Sequence, residues 1–206
     1  SRAHFYRSLP ETIQLFKDWT RDPLHSPAQV FDFELFQAVE GHTAENTHAL
    51  FTGKLFPPDG RDASTRPVGM ETLFGHYRKA NYQTMWQEDL CWEGVWGLFT
   101  DLAIEAEWQN LGPKLEEVYI DSTGMTHSSC EILKAYGLVV PFNGPEEMKI
   151  CFNGKFQHSY LLQHVLDTLK AIKTSPRALP ILSYLTLSVG HDEDGLRIQT
   201  FDKDLV

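Results

Sequence analysis

Ile181-Leu182-Ser183-Tyr184-Leu185-Thr186-Leu187-Ser188-Val189, flanked by Pro180 and Gly190, is the stretch on which the fold turns. It is nearly all apolar, short and closed at both ends by breakers. That pattern predicts a strand buried on both faces of a parallel sheet rather than a half-exposed hairpin strand. Immediately upstream, residues 158–172 predict the longest helix. Leu162, Val165, Leu166, Leu169 and Ile172 repeat at i, i+3, i+4 and i+7, a stripe expected to face the core.

Further upstream the same alternation recurs. Ser8-Leu9-Pro10-Glu11 reads as a capping box with proline in the first turn, opening a helix with Ile13, Phe16 and Trp19 on one face. Residues 30–36 alternate Phe31, Phe33 and Leu35 with Asp32 and Glu34, a strand pattern. Residues 44–52 predict a short helix stopped by Gly53, and 54–67 a polar loop carrying Asp59, Arg61, Asp62 and Arg66. Helices are predicted over 70–80, 95–106 and 128–136, and a strand over 82–86. Helices and strands in alternation imply an α/β fold with a mostly parallel central sheet flanked by helices. Ligands of such sheets bind beyond the carboxyl ends of strands. Gly41-His42-Thr43 and Gly190-His191-Asp192 follow two of those ends.

Charge narrows the function classes. Lys and Arg total 18 against 28 Asp and Glu, a formal net charge of −10 over 206 residues. A duplex or membrane-surface binder uses a basic field, so neither nucleic acid nor membrane contact is expected of this segment. No apolar run approaches the roughly 18 residues of a membrane span. The chain opens on Ser1-Arg2-Ala3 without methionine and closes within a predicted helix, so 1–206 is read as a single partial domain, cut at both ends. Cys91, Cys130 and Cys151 show no CxxC spacing for a zinc cluster. A Cys130–Cys151 disulfide and three buried thiols are both open.

The turn at Thr43 carries the chemistry. Thr43 occupies the N-cap position of the 44–52 helix, where its hydroxyl can accept from the Asn46 amide; as a cap it needs no further role. The same place lies in the positive field of a helix N-terminus, which favours a phosphate or sulfate. Asn46, one turn on, can donate to a non-bridging ester oxygen. Threonine is a weak nucleophile and needs a metal to become an alkoxide.

Thr43-Ala44-Glu45-Asn46, with Leu50 and Thr52-Gly53 behind, resembles the nucleophile turn of nucleotide pyrophosphatase/phosphodiesterases. Ser1 to Pro10 resembles the stretch after the first metal-binding Asp of the alkaline phosphatase/sulfatase superfamily. Asn81-Tyr82-Gln83-Thr84 resembles its Gly-Tyr-x-Thr strand, and Ser183 to His191 with Asp202 and Leu205 its later strand-His-helix unit. Within the superfamily the chain resembles the metazoan sulfatase-like DUF229 group. The resemblance implies an incomplete alkaline-phosphatase-like α/β/α sandwich. It implies Thr43 as metal-bound nucleophile, Asn46 as transition-state donor and His191 on the substrate oxyanion or the metal. It also implies a divalent ion, zinc or calcium, held in the full-length protein and poorly by this fragment alone, which is expected to turn over little or nothing. The substrate implied is a small-molecule or glycan phosphate or sulfate ester. The location implied is the secretory lumen or the cell exterior, with a membrane anchor on the full-length protein.

Departures matter. A sulfatase turn reads Cys-x-Pro-Ser-Arg, whereas Thr43, Glu45 and Thr47 stand at its cysteine, proline and arginine. Asp89 stands where sulfatases keep a sulfate-binding lysine and is expected to repel sulfate. Sulfuric ester hydrolysis is therefore disfavoured relative to phosphate ester chemistry. A non-catalytic binding or interaction module is the rival reading. His42 as a neighbour of the nucleophile, Glu88 with Asp89 as a polar pair, and Trp86, Trp92, Trp96 and Trp108 as core packing complete the candidates.

Overall fold

A computed structural model describes residues 2–31, 37–41, 43–55, 72–89, 111–136, 151–190 and 196–206. The sheet is built on β1 (Gln83–Glu88) and β4 (Ile181–Thr186). They run parallel, from Gln83 opposite Ile181 to Glu88 opposite Thr186. A parallel bridge joins Met85 to Ser122 on the other side of β1, with Trp86 N donating to Ser122 O at 3.0 Å. Parallel neighbours need a long crossover. Here it contains α5 (Leu111–Glu117), α6 (Thr126–Ala135), a hairpin of β2 (Cys151–Phe152) and β3 (Lys155–Phe156), and α7 (Gln157–Thr174). The architecture is thus α/β, with parallel strands flanked by helices and one antiparallel hairpin beside them.

β1 is buried from Thr84 to Glu88, but β4 is half-buried at every position. The expectation of a strand buried on both faces is corrected. The long helix α7 is also only partly covered. It docks through its first turns, where Gln157, His158 and Leu161 are buried. Farther along, Leu166 and Leu169 are 46% and 48% exposed. Of the predicted stripe, Leu162, Val165 and Ile172 are half-buried and none is buried, so the stripe does not face the core as expected.

The main core joins α3 (Thr43–Thr52), α4 (Leu73–Lys79), β1 and β4. Phe51 stacks on Phe74 at 4.8 Å and meets Tyr184 edge-on at 4.8 Å, while Trp86 lies 4.8 Å from Tyr184. Leu115, Val118 and Ile120 close this cluster. Aromatic residues contribute large buried area and prefer these offset and edge-on arrangements.

Local chemistry sets the entry to β1. Thr72 caps α4, its hydroxyl accepting from Gly75 N at 3.2 Å. At the other end Asn81 takes a left-handed φ of 67°. Asn81 N donates to Arg78 O and Tyr82 N to Tyr77 O, at 2.9 and 3.0 Å. This is a Schellman stop, and Tyr77 and Tyr82 supply its accompanying apolar contact with rings 5.0 Å apart. Gly53, at φ 68°, ends α3 at the predicted place.

A second, smaller core lies at the carboxyl end of β4. It holds Leu9, Val189 and Ile198, with Phe5, Phe201 and Leu205 against them. Leu9 joins α1 (Arg2–Ser8) to α2 (Pro10–Arg21). The predicted capping box does not form, because Ser8 ends α1 and makes no cap bond to α2. Asp202, at the start of α8 (Asp202–Leu205), caps α2 instead: Glu11 N and Thr12 N donate to its carboxylate at 2.9 and 2.8 Å. Val30 and Phe31 have no regular structure; 32–36, the 56–67 part of the predicted loop, residues 70–71 of the predicted helix 70–80 and the predicted helix 95–106 lie outside the described residues. Among the described residues, no helix is long and apolar enough to cross a membrane.

Candidate functional site at the carboxyl ends of β1 and β4

Because β1 and β4 are adjacent and parallel, their carboxyl ends open at one edge, the place where α/β sheets bind ligands. Glu88 closes β1 and Asp89 follows it; both are 1% exposed. Beyond β4 comes a 3-10 turn, Ser188–Gly190, and a second one, Arg197–Phe201, leads into α8.

These pieces converge on one carboxylate. Ser188 N donates to the two Asp89 oxygens at 2.8 and 2.9 Å, and Ser188 Oγ donates at 2.9 Å. Arg197 Nη2 lies 3.7 Å from Asp89 Oδ2 and donates to Ser188 Oγ at 3.3 Å. Arg197 is only 5% exposed. Burial pushes the Asp89 carboxyl above the usual carboxylate range, while the Ser188 hydrogen bonds and the Arg197 charge pull the other way. Asp89 therefore faces Ser188 and Arg197 inside the protein.

Glu88 is used differently. Its Oε2 accepts from Trp86 Nε1 at 2.8 Å, and its backbone N donates to Thr126 Oγ1 at 2.9 Å. Glu88 and Asp89 thus have separate partners. Trp86 packs in the core, as read from the sequence; Trp92, Trp96 and Trp108 lie outside the described residues.

Next to the Asp89 cluster, His158 opens α7 with its ring stacked on Phe156 at 5.2 Å and edge-on to Phe201 at 5.3 Å. His158 Nε2 lies 3.0 Å from Asp204 Oδ2, and Ser159 Oγ donates to the same oxygen. Burial lowers the His158 pKa and the Arg197 charge adds to that, against the opposing pull of Asp204. Sequence reasoning placed Arg197, Ser188 and His158 in no site. Their convergence depends on strand pairing across about half the chain, and no local pattern encodes it.

The residues expected to do chemistry are distributed otherwise. Thr43 is the first residue of α3, and its side chain lies outside the described residues, as do His42, His191, Asp59, Arg61, Asp62 and Arg66. Asn46 is described. Its Oδ1 accepts from Val39 N at 2.7 Å and Glu40 N at 3.3 Å, and its Nδ2 donates to Glu40 O at 2.8 Å. The amide that the sequence directs at an ester oxygen here folds the preceding loop back on the start of α3. Among the described residues, no group of three or more His, Cys, Asp and Glu stands where it could hold a metal ion. The described residues therefore do not fit a metal centre. An open cleft of about 540 Å³ lies at the α1–α2 junction, where Arg7 and Lys203 are balanced by Glu11 and Asp202. Among the described residues, Asn46 does not line it.

Cys130 is disulfide-bonded and Cys151 is a free, exposed thiol, so the Cys130–Cys151 pairing is not the one formed. No family model, curated protein or solved structure compared with the chain matches it.

Proposed function

We propose that the chain is part of a hydrolase or transferase acting on phosphate esters, within the alkaline phosphatase/sulfatase superfamily, with Thr43 as its nucleophile. The observation that carries this reading is the position of Thr43. It is the first residue of α3, and α3 is fixed through Phe51 against Trp86 of β1 and Tyr184 of β4. The start of a helix carries a positive field that favours an anionic ester. In this reading His191, directly after the 3-10 turn that follows β4, binds the substrate oxyanion. A divalent ion, zinc or calcium, belongs to the reading as well, with ligands from outside the described residues. The disulfide at Cys130 supports an oxidising compartment such as the secretory lumen or the cell exterior.

The bonded amide of Asn46 favours a second reading, a non-catalytic sulfatase-like binding module. In that reading the Asn46 amide serves to hold residues 39 and 40 against the start of α3. One comparison separates the two: turnover of a nitrophenyl phosphodiester by the full-length protein, with zinc or calcium supplied, against Thr43→Ala. The catalytic reading expects loss of turnover in the variant. Equal rates, or none in the parent, leave the binding module.

A further inference from the structure

Residues 197–205, the 3-10 turn Arg197–Phe201 and α8, lie as a strap against α1, α2, α7 and the 3-10 turn after β4. Ile198, Phe201 and Leu205 pack with Leu9, Val189 and Phe5. Three polar ties hold the strap, and each is made by a carboxylate. Asp89, just past β1, holds Arg197 across 3.7 Å. Asp202 accepts from Glu11 N and Thr12 N at 2.9 and 2.8 Å. Asp204 holds the His158 imidazole at 3.0 Å and accepts from the Ser159 hydroxyl. Ties of this kind depend on protonation. The sheet does not, since backbone hydrogen bonds and an aromatic core hold it.

His158 is the tie with least room for a proton. It is 2% exposed, between the Phe156 and Phe201 rings. Of the charged groups on the elements packed against it, Asp204 and Arg197 face it. Lys155 of β3 is turned over the Tyr160 ring at 5.9 Å, and Lys203 lines the cleft at the α1–α2 junction. Burial disfavours an imidazolium in this place and the Arg197 charge adds to it; Asp204 and the Thr200 backbone oppose them without cancelling them. Opening the strap carries Asp204, Arg197 and Phe201 away and lets water reach the ring.

We propose that the strap is an acid-released latch: protonation of His158 loosens residues 197–205 from α1, α2 and α7 while β1 and β4 stay paired, uncovering Leu9 and Val189 and widening the cleft at the α1–α2 junction. The closed form binds the proton less readily than the open one. Opening therefore gains up to about tenfold per pH unit as pH falls from about 6.5 toward the lowered folded value. Asp202, held low by its bonds from Thr12 and Glu11, adds to release below about pH 4. Asp89, which burial pushes up, takes its proton without favouring release. The latch is independent of the chemistry proposed for Thr43.

Amide exchange in the full-length protein, corrected for the intrinsic rate at each pH, reads the opening. The amides of 197–205 are expected to be less protected than those of Gln83–Glu88, which marks an opening separate from unfolding of the sheet. Their protection is expected to fall by up to about tenfold per unit below about pH 6.5, and His158→Gln to remove that fall. Equal protection in the strap and β1, protection of the strap that does not change with pH, or the same fall in His158→Gln overturns the latch. Should His158→Gln fail to fold, the titration of the parent imidazole decides, followed by NMR. A midpoint below about 6.5 supports the latch, and one at or above it overturns it.

Discussion

Asp202 Oδ1 lies 2.8 Å from the backbone nitrogen of Thr12 and 2.7 Å from its hydroxyl, across 190 residues of chain. A helix N-terminus leaves amide groups without intrahelical partners, and here a distant carboxylate satisfies two of them. Burial pushes the Asp202 carboxyl up, but the hydrogen bonds from Thr12 and Glu11 outweigh it and hold the pKa below the usual range. Asp202→Ala is expected to cost about 2 kcal/mol, read as a lower urea midpoint at unchanged slope. A depressed folded pKa stabilises above the unfolded value and loses that contribution as pH falls through the folded one. The gap between parent and variant should therefore narrow below about pH 4.

His158 titrates with the opposite charge and the same sign of slope. Its folded pKa is lowered, chiefly by burial, so the unfolded chain binds the proton first. Stability is expected to fall as pH drops from about 6.5 toward the lowered value, by up to about 1.4 kcal/mol per pH unit from this one group. The groups facing it are Asp204 and Arg197, with the Phe156 and Phe201 rings on either side. His158→Gln should flatten the slope in that window, measured by urea unfolding at a series of pH values. An unchanged slope would mean that His158 is not the group that resists protonation.

Elements with strong local periodicity were legible: α3 with its Gly53 stop, the strands β1 and β4, and the long helix α7. Burial was not. The ILSYLT run reads as doubly covered, yet β4 is half-buried at every position, because coverage is set by what packs on a strand and not by the strand's own composition. The α2 cap misled for the same reason. Ser8 had the right type and spacing, but Asp202 reached the orphan amides from the far end of the chain. Asn153 and Gly154, both at positive φ, form the two-residue turn of the β2–β3 hairpin. That signal stands in the sequence as Asn-Gly between Phe152 and Lys155. Of the candidate site, Asn46 was legible as a residue but not as a loop clamp, since its partners are backbone atoms of residues 39 and 40.

Gly124 offers a test of packing behind β1. It has a φ of 55°, and a Cβ there would stand 2.2 Å from Gln87 Oε1. Gln87 is fully buried and ties two helices to the strand, accepting from Met125 N and donating to Leu161 O, each at 2.8 Å. Gly124→Ala strains the backbone and displaces this amide, for a loss on the order of 3 kcal/mol. Gly154→Ala, also at positive φ but with nothing within 4 Å, should cost only about 1 kcal/mol. Equal losses in thermal unfolding would remove the Gln87 bridge from this account.

Thiol chemistry checks the disulfide. With Cys130 bonded and Cys151 free, alkylation of the unfolded, unreduced chain should label Cys151 and spare Cys130. Reduction should expose Cys130 and lower the thermal midpoint, in line with the roughly 2–5 kcal/mol that native disulfides contribute in small secreted domains. Labelling of Cys130 before reduction would contradict the bonded state.

The nucleophile assignment is tested most directly by trapping. The full-length protein, supplied with zinc or calcium and a nitrophenyl phosphate ester, is quenched in acid and its peptides are mapped by mass. Attack by the Thr43 hydroxyl forms a bond to phosphorus, gives up the hydroxyl proton to solvent, breaks the bond to the departing nitrophenolate and leaves one phosphoryl group on the peptide containing Thr43. That adduct, absent from Thr43→Ala, is the predicted result; nitrophenolate released at the same rate by parent and variant, with no phosphoryl group on Thr43, contradicts it.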